Sequence, residues 1–309
     1  MIRKLAGTRW GNLGSWRGVR KGALPRWGWE LRRASGISFS RHFCARPPAG
    51  NYFFGTCLVV GFLLFAGRGA AAEWGNLTAT FVYDGDPPPV AKANITSDKE
   101  FCCKFDVRDE SLVVNPGNKG VANVVAVLSL DPTQDLPPIH PDYAANEKGE
   151  VFLDNKQCRF EPHVALLRTS QTLVLTNSDS IAHNMNFTPF DNPPFNVLVP
   201  TGGQSRHRLA VEEQRVPATM ACNIHPWMGA RVVVKRHPYM AVSNPDGCLE
   251  IKNLPVGEWT FQFWHEKAGY LSKVSVLASP TDKRGKCTIP IRVGSNDLGP
   301  IKLPPSLFD

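Results

Sequence analysis

The 309-residue sequence predicts an all-β fold, a β-sandwich followed by a smaller β-sandwich module, on three observations. Gly and Pro supply 26 residues each, the turn content that many short strands need. From residue 74 onward, short apolar segments alternate with period two, the signature of half-buried strands. Long amphipathic helical periodicity is missing throughout.

The first element is a basic leader. Residues 1–72 hold twelve Lys and Arg against the single acid Glu30, a balance of +11, so the formal +8 of the whole chain leaves −3 for residues 73–309. A mildly acidic remainder gives no electrostatic ground for nucleic-acid binding. The leader continues into an apolar run over residues 52–67 and then Ala70-Ala71-Ala72, a small-x-small cleavage pattern, so residues 1–72 read as a leader and signal peptide cut near Ala72. The expected location is periplasmic or extracellular, with membrane attachment through residues 52–67 only if the leader stays uncleaved. Six cysteines follow the expected cut, Cys102, Cys103, Cys158, Cys222, Cys248 and Cys287, in a compartment that favours disulfides.

Strands are expected over residues 77–83, 121–130, 164–167, 171–176, 211–220 and 231–235, with loops over 99–109 and 131–148. Residues 73–235 are taken as one sandwich with an N-terminal extension. After Lys235, Asn244-Pro245-Asp246-Gly247 signals a hairpin, and strands over 249–251, 259–264 and 273–277 make a small β module of residues 236–278. The Pro- and Gly-rich segment 279–309 is expected to lie over the surface as a tail.

The chemistry concentrates in Cys222-Asn223-Ile224-His225-Pro226-Trp227-Met228, a C-x2-H-x2-M pattern between two expected strands. Such a loop can bring a thiolate, an imidazole and a thioether to one point. Copper suits that set: a Cys and two His with a weak Met is the electron-transfer arrangement, soft sulfur favouring Cu(I) and imidazole accepting both oxidation states. The missing imidazole is assigned to His183, which follows the 171–176 strand and the Asn177-Ser178-Asp179-Ser180 turn. A half-cystine is the plain alternative for Cys222 in an exported chain. A zinc site on Cys102, Cys103, Cys158 and His163 is a rival metal reading, disfavoured by an oxidising compartment.

The segments AHNMNF and CNIHPWM resemble the cupredoxins, the type 1 blue copper family, and are most similar to its amicyanin and plastocyanin members. The resemblance implies a Greek-key cupredoxin sandwich with one type 1 copper on His183, Cys222, His225 and Met228. It further implies that Asn184 ties the two ligand loops together beside the Cys sulfur. His225 would sit near the surface in an apolar patch, with Pro226 and Trp227, through which electrons leave. Over residues 74–275, DKEFC, ESLVVN, NVVAVL, CRFEPHV and FWHEKAGYL resemble secreted bacterial methylamine-utilisation and plastocyanin-like proteins. In those, a module similar to the carboxypeptidase regulatory domain follows the copper domain.

Beside that resemblance, Cys103 stands where a small residue is expected. Cys102 with Cys158 and Cys248 with Cys287 are the expected disulfides, leaving Cys103 free. No nucleophile elbow, P-loop, dinucleotide fingerprint or paired-carboxylate motif is present, and four protein ligands leave copper no open position, so the chain is not expected to be an enzyme. The expected function is single-electron transfer with a redox partner protein such as a c-type cytochrome or periplasmic oxidoreductase. The alternatives are a secreted binding module whose copper loop is structural, or a copper-handling protein.

Overall fold

The computed structural model describes residues 72–131, 133–209 and 213–309, all within one compact unit, Gly67–Asp309. The expected leader and membrane-attachment segment therefore lie outside the described residues, Ala72 excepted. Among the described residues, no helix is long and apolar enough to cross a membrane.

In chain order the strands are β1 (Trp74–Tyr83), β2 (Val125–Leu128), β3 (Glu150–Lys156), β4 (Arg159–Glu161), β5 (Val164–Arg168), β6 (Thr172–Asn177) and β7 (His183–Thr188). They continue with β8 (Phe195–Val199), β9 (Gln204–Arg208), β10 (Ala218–Ala221), β11 (Gly229–Lys235), β12 (Met240–Val242) and β13 (Cys248–Pro255). The last are β14 (Gly257–His265), β15 (Gly269–Tyr270), β16 (Ser275–Val276), β17 (Ser279–Pro280), β18 (Lys286–Ile291) and β19 (Gly294–Leu303). One helical turn, α1 (Lys99–Cys102), lies inside the segment read as a loop.

The first sandwich packs a five-stranded sheet, β5-β11-β10-β7-β8, against a four-stranded one, β4-β3-β6-β9. Its core is Leu153, Phe160, Leu173, Leu175, Met185, Phe187, Met220 and Val232, all at most 1% exposed, and Cys222 and Met228 belong to the same cluster. Antiparallel pairing sets Asn186 opposite Ala221, so the beginning of β7 and the end of β10 reach the same end of the sheet. That register brings His183 beside the segment after Ala221.

The second sandwich faces sheet β13-β1-β19 with a sheet of β12, β2, β14 and β15, β18 pairing with β14. Strand β1 alternates strictly, turning Leu77, Ala79, Phe81 and Tyr83 inward. Two sequence expectations need correction here. Strands β1 and β2, placed with residues 73–235, complete this second sandwich, so it is not confined to the chain after Lys235. The segment 279–309 is no surface tail: β18 turns Ile289 and Ile291 inward, and β19 runs parallel to β1 with Ile301 and Leu303 buried. The Asn244–Gly247 turn does form, but it carries the chain from β12 in one sheet to β13 in the facing one. Gly247 has φ +78°, and a Cβ there would lie 2.3 Å from the Phe81 carbonyl oxygen, so only glycine fits.

Val125 and Val127 of β2 meet Val164 of β5 and Val233 of β11 where the sandwiches join. A half-buried ionic group extends this seam. His163 Nε2 lies 2.6 Å from Glu266 Oε2, Arg231 Nη2 lies 2.9 Å from Glu266 Oε1, and Glu110 lies 3.7 Å from His163 Nδ1. Burial opposes charge on His163, but Glu110 and Glu266 outweigh it and raise the imidazole from 6.5 to about 9. Burial likewise opposes charge on Glu266, and His163 with Arg231 outweighs it, lowering the carboxyl from 4.5 to about 2. The stabilisation from His163 is therefore complete below pH 6.5 and lost as pH rises to about 9; that from Glu266 is complete above pH 4.5 and lost as pH falls to about 2. Denaturant midpoints are expected to fall between pH 6 and pH 9, and to fall less in His163→Gln. Equal falls in both proteins would assign the loss to other groups.

Candidate metal centre

His183 opens β7, and a short connection from β6 sets it there. Asn177 closes that connection, its Nδ2 donating to the carbonyls of Ile181 at 2.7 Å and Val199 at 2.9 Å. The turn between β3 and β4 has left-handed Gln157 and Cys158, φ 55° and 56°, as a two-residue hairpin with both central residues at positive φ requires. Both turn N–H groups donate to the Asp179 carboxylate, at 2.5 and 2.9 Å. His183 Nε2 donates to the same carboxylate at 3.0 Å. Its other nitrogen, Nδ1, is buried with no hydrogen-bond partner.

Cys222 follows β10 and is unbridged. The loop to β11 is closed by two backbone bonds, Met228 N–H to the His225 carbonyl at 2.9 Å and Cys222 N–H to the Met228 carbonyl at 3.2 Å. Asn184 Oδ1 accepts from the N–H groups of Asn223 at 2.8 Å and Ile224 at 3.1 Å, and lies 3.5 Å from Cys222 Sγ. One side chain after His183 thus fixes the backbone of the loop that carries Cys222 and His225.

The donor atoms of His183, Cys222 and His225 lie within 4.8 Å of one another, and His225 Nδ1 is 3.5 Å from Cys222 Sγ. His183 and His225 are 0% exposed, Cys222 and Met228 2%. Burial disfavours the Cys222 thiolate, yet the neighbouring His183 and His225 imidazoles and the backbone of His225 and Asn184 outweigh it, and the thiol falls to about 6. The metal-binding form therefore prevails at neutral pH. His183 is shifted upward, since the Asp179 carboxylate and Cys222 overcome the effect of burial. A bare buried nitrogen, a thiolate and a second imidazole facing one point fit a soft or borderline metal ion.

The His225 surroundings correct one expectation. The ring is not at the surface: the segment before α1 covers it, with His225 Nε2 donating to Asp98 Oδ2 at 2.8 Å and Ser97 Oγ to the Ile224 carbonyl at 2.7 Å. Trp227 is half-buried against Cys102, Cys158 and Val107, its Nε1 donating to the Cys158 carbonyl at 3.1 Å. Of the two residues assigned to an electron-exit patch, Pro226 alone is exposed.

Cys102 and Cys158 form a disulfide. Cys248 and Cys287 do not, both being free, because strand pleat separates them: Cys248 points to solvent from β13, while Cys287 leans toward the core from β18 in the other sheet. Cys103 is free and exposed. The rival cysteine zinc site is not assembled, since two of its thiols are bridged and His163 is paired with Glu266. Asp98 and Asp179, which hold the outer nitrogens of both imidazoles, lie in the DKEFC segment and the Asn177–Ser180 turn, but the sequence did not mark either as an imidazole partner.

No family model and no curated protein matches this chain. Among solved structures, a copper-containing nitrite reductase from Thermus scotoductus SA-01 is similar at 18% identity and a TM-score of 0.25, over 35% of this chain and 25% of that one. The chain thus spans about a quarter of that reductase. A point mutant of amicyanin in its oxidised state is similar at 18% identity and a TM-score of 0.26, over 28% of this chain and 83% of that one. A purple cupredoxin from Nitrosopumilus maritimus gives 22% identity and a TM-score of 0.24, over 28% and 100%. What the site can do follows from its own side chains.

Proposed function

We propose that this protein holds one type 1 copper ion on His183, Cys222, His225 and Met228, and transfers single electrons in an exported setting. The convergence of two imidazoles and a thiolate within 4.8 Å, with His183 Nδ1 buried and unpaired, carries this reading. Copper in that position would supply a one-electron Cu(II)/Cu(I) couple. The chain's part is preorganisation: Asp179 and Asp98 hold the outer imidazole nitrogens, Asn184 holds the ligand loop, and burial excludes water. Met228 shares its buried cluster with Cys222 and would offer a weak thioether ligand. A small redox protein such as a c-type cytochrome or periplasmic oxidoreductase is the proposed partner. It would meet Asn223, Ile224 and Pro226, the exposed residues of the ligand loop, and not the His225 ring. We place no enzymatic step on this site.

Metal analysis and the visible spectrum of the Cu(II)-loaded protein test the reading. One copper per chain with an intense thiolate-to-copper band is expected; a folded protein that takes up copper without that band would refute it. Met228→Gln is expected to keep the colour and lower the midpoint potential, because a harder oxygen donor in place of the thioether would favour Cu(II). An unchanged potential in cyclic voltammetry would remove Met228 from the ligand set.

A further inference from the structure

Asp98 is set for His225 against the interest of its own helix. It occupies the N-cap of α1 yet makes no side-chain cap bond, and its backbone sits in the left-handed region at φ 43°, ψ 41°. Asp is a favoured cap, and a left-handed backbone is uncommon even for Asp, so a conformation that wastes the one and accepts the other points to a role elsewhere. That role is visible in the 2.8 Å bond from His225 Nε2, made across 127 residues of sequence. Asp179 does the same for His183 at 3.0 Å. The two aspartates are linked through one disulfide: Cys102 donates its N–H to the main-chain carbonyl of Asp98, Cys158 donates its N–H to the Asp179 carboxylate, and the two cysteines are bridged.

Resting on the copper reading above, we propose that Asp98 is a positioning residue of the metal centre: its carboxylate fixes the His225 ring with Nδ1 turned toward Cys222 and places negative charge behind that ligand, favouring the higher metal charge. A carboxylate on the far nitrogen of a ligating imidazole fixes its tautomer and raises its basicity, and removing it typically weakens metal affinity by about 10- to 100-fold. The charge term acts more strongly on Cu(II) than on Cu(I). Each tenfold by which Cu(II) binding weakens more than Cu(I) binding raises the midpoint potential by ~59 mV.

Asp98→Asn is the discriminating variant, because Asn tolerates the left-handed backbone at least as well and only the charge is lost. Asp106→Asn is the control: it removes the same charge from the same segment, at a side chain paired with Arg108. Cu(II) and Cu(I) affinities and the midpoint potential are measured for the full chain and both variants. The result expected is at least a tenfold preferential loss of Cu(II) affinity and a higher potential in Asp98→Asn, with the control unchanged. A potential in Asp98→Asn equal to that of the control would overturn the proposal. Nitrogen NMR of the metal-free protein gives a readout without copper: the parent should carry the His225 proton on Nε2, and Asp98→Ala should shift the ring toward a tautomer mixture. A proton on Nδ1 in the parent would also overturn it. If the parent binds no copper, the functional reading fails, while the NMR comparison still decides the role of Asp98.

Discussion

Cys222→Ser is expected to abolish the intense visible band of the Cu(II)-loaded protein while leaving the fold intact. The band requires a sulfur-to-copper bond, and Cys222 is the sole free thiol among the described residues that faces both His183 and His225. A serine hydroxyl at neutral pH is protonated and hard, so it neither donates charge to copper as a thiolate does nor binds Cu(I) well. Folding should survive because the site already offers polar partners: Asn184 Oδ1 and His225 Nδ1 both lie 3.5 Å from the sulfur. Cys103→Ser, at an exposed free thiol, should leave the spectrum untouched. Absorption spectra of the two variants and the parent, loaded with equal Cu(II), decide the matter. Retention of the band in Cys222→Ser, or its loss in Cys103→Ser, would place the coloured site elsewhere.

How much of this was legible in the sequence depended on distance along the chain. The loop Cys222–Met228 was readable because three candidate donors sit within seven residues of a loop that its own hydrogen bonds close. His183 was readable because a strand end marked by a polar turn is a place where a sheet can hold a side chain rigidly. Asp98 was not, since its bond to His225 is purely tertiary and its local signal is that of a helix cap it does not make. The same limit hid how far the second sandwich extends: β1 pairs in parallel with β19 at the opposite end of the sequence, and local alternation says nothing about partners. In β18 and β19 the Pro and Gly residues masked an alternation that places Ile289, Ile291, Ile301 and Leu303 inside. Pairing cysteines by count failed at Cys248 and Cys287 because a count ignores which way the pleat points each side chain.

Replacing both halves of the Cys102–Cys158 bridge by alanine is expected to destabilise the protein by ~4 kcal/mol, the chain-entropy value for a closed loop of this size. The two cysteines are 56 residues apart in sequence, so the bond removes a large volume of unfolded conformations. In the folded state it fastens the segment around α1 to the turn between β3 and β4, where Cys102, Val107 and Cys158 form a small buried cluster with Ile95, Phe101, Phe105 and Trp227 along its edge. Without the bond, that cluster and the contacts of Ser97 and Asp98 with the ligand loop are what hold the segment over His225. Urea titration of the double variant against Cys103→Ala measures the effect, and amide hydrogen exchange over residues 95–105 shows where it falls. A loss under ~1 kcal/mol would mean that the unfolded chain gains little freedom when the bridge is removed. A loss near ~4 kcal/mol with faster exchange confined to residues 95–105 would mean that the bridge keeps the metal edge covered as well as stabilising the fold.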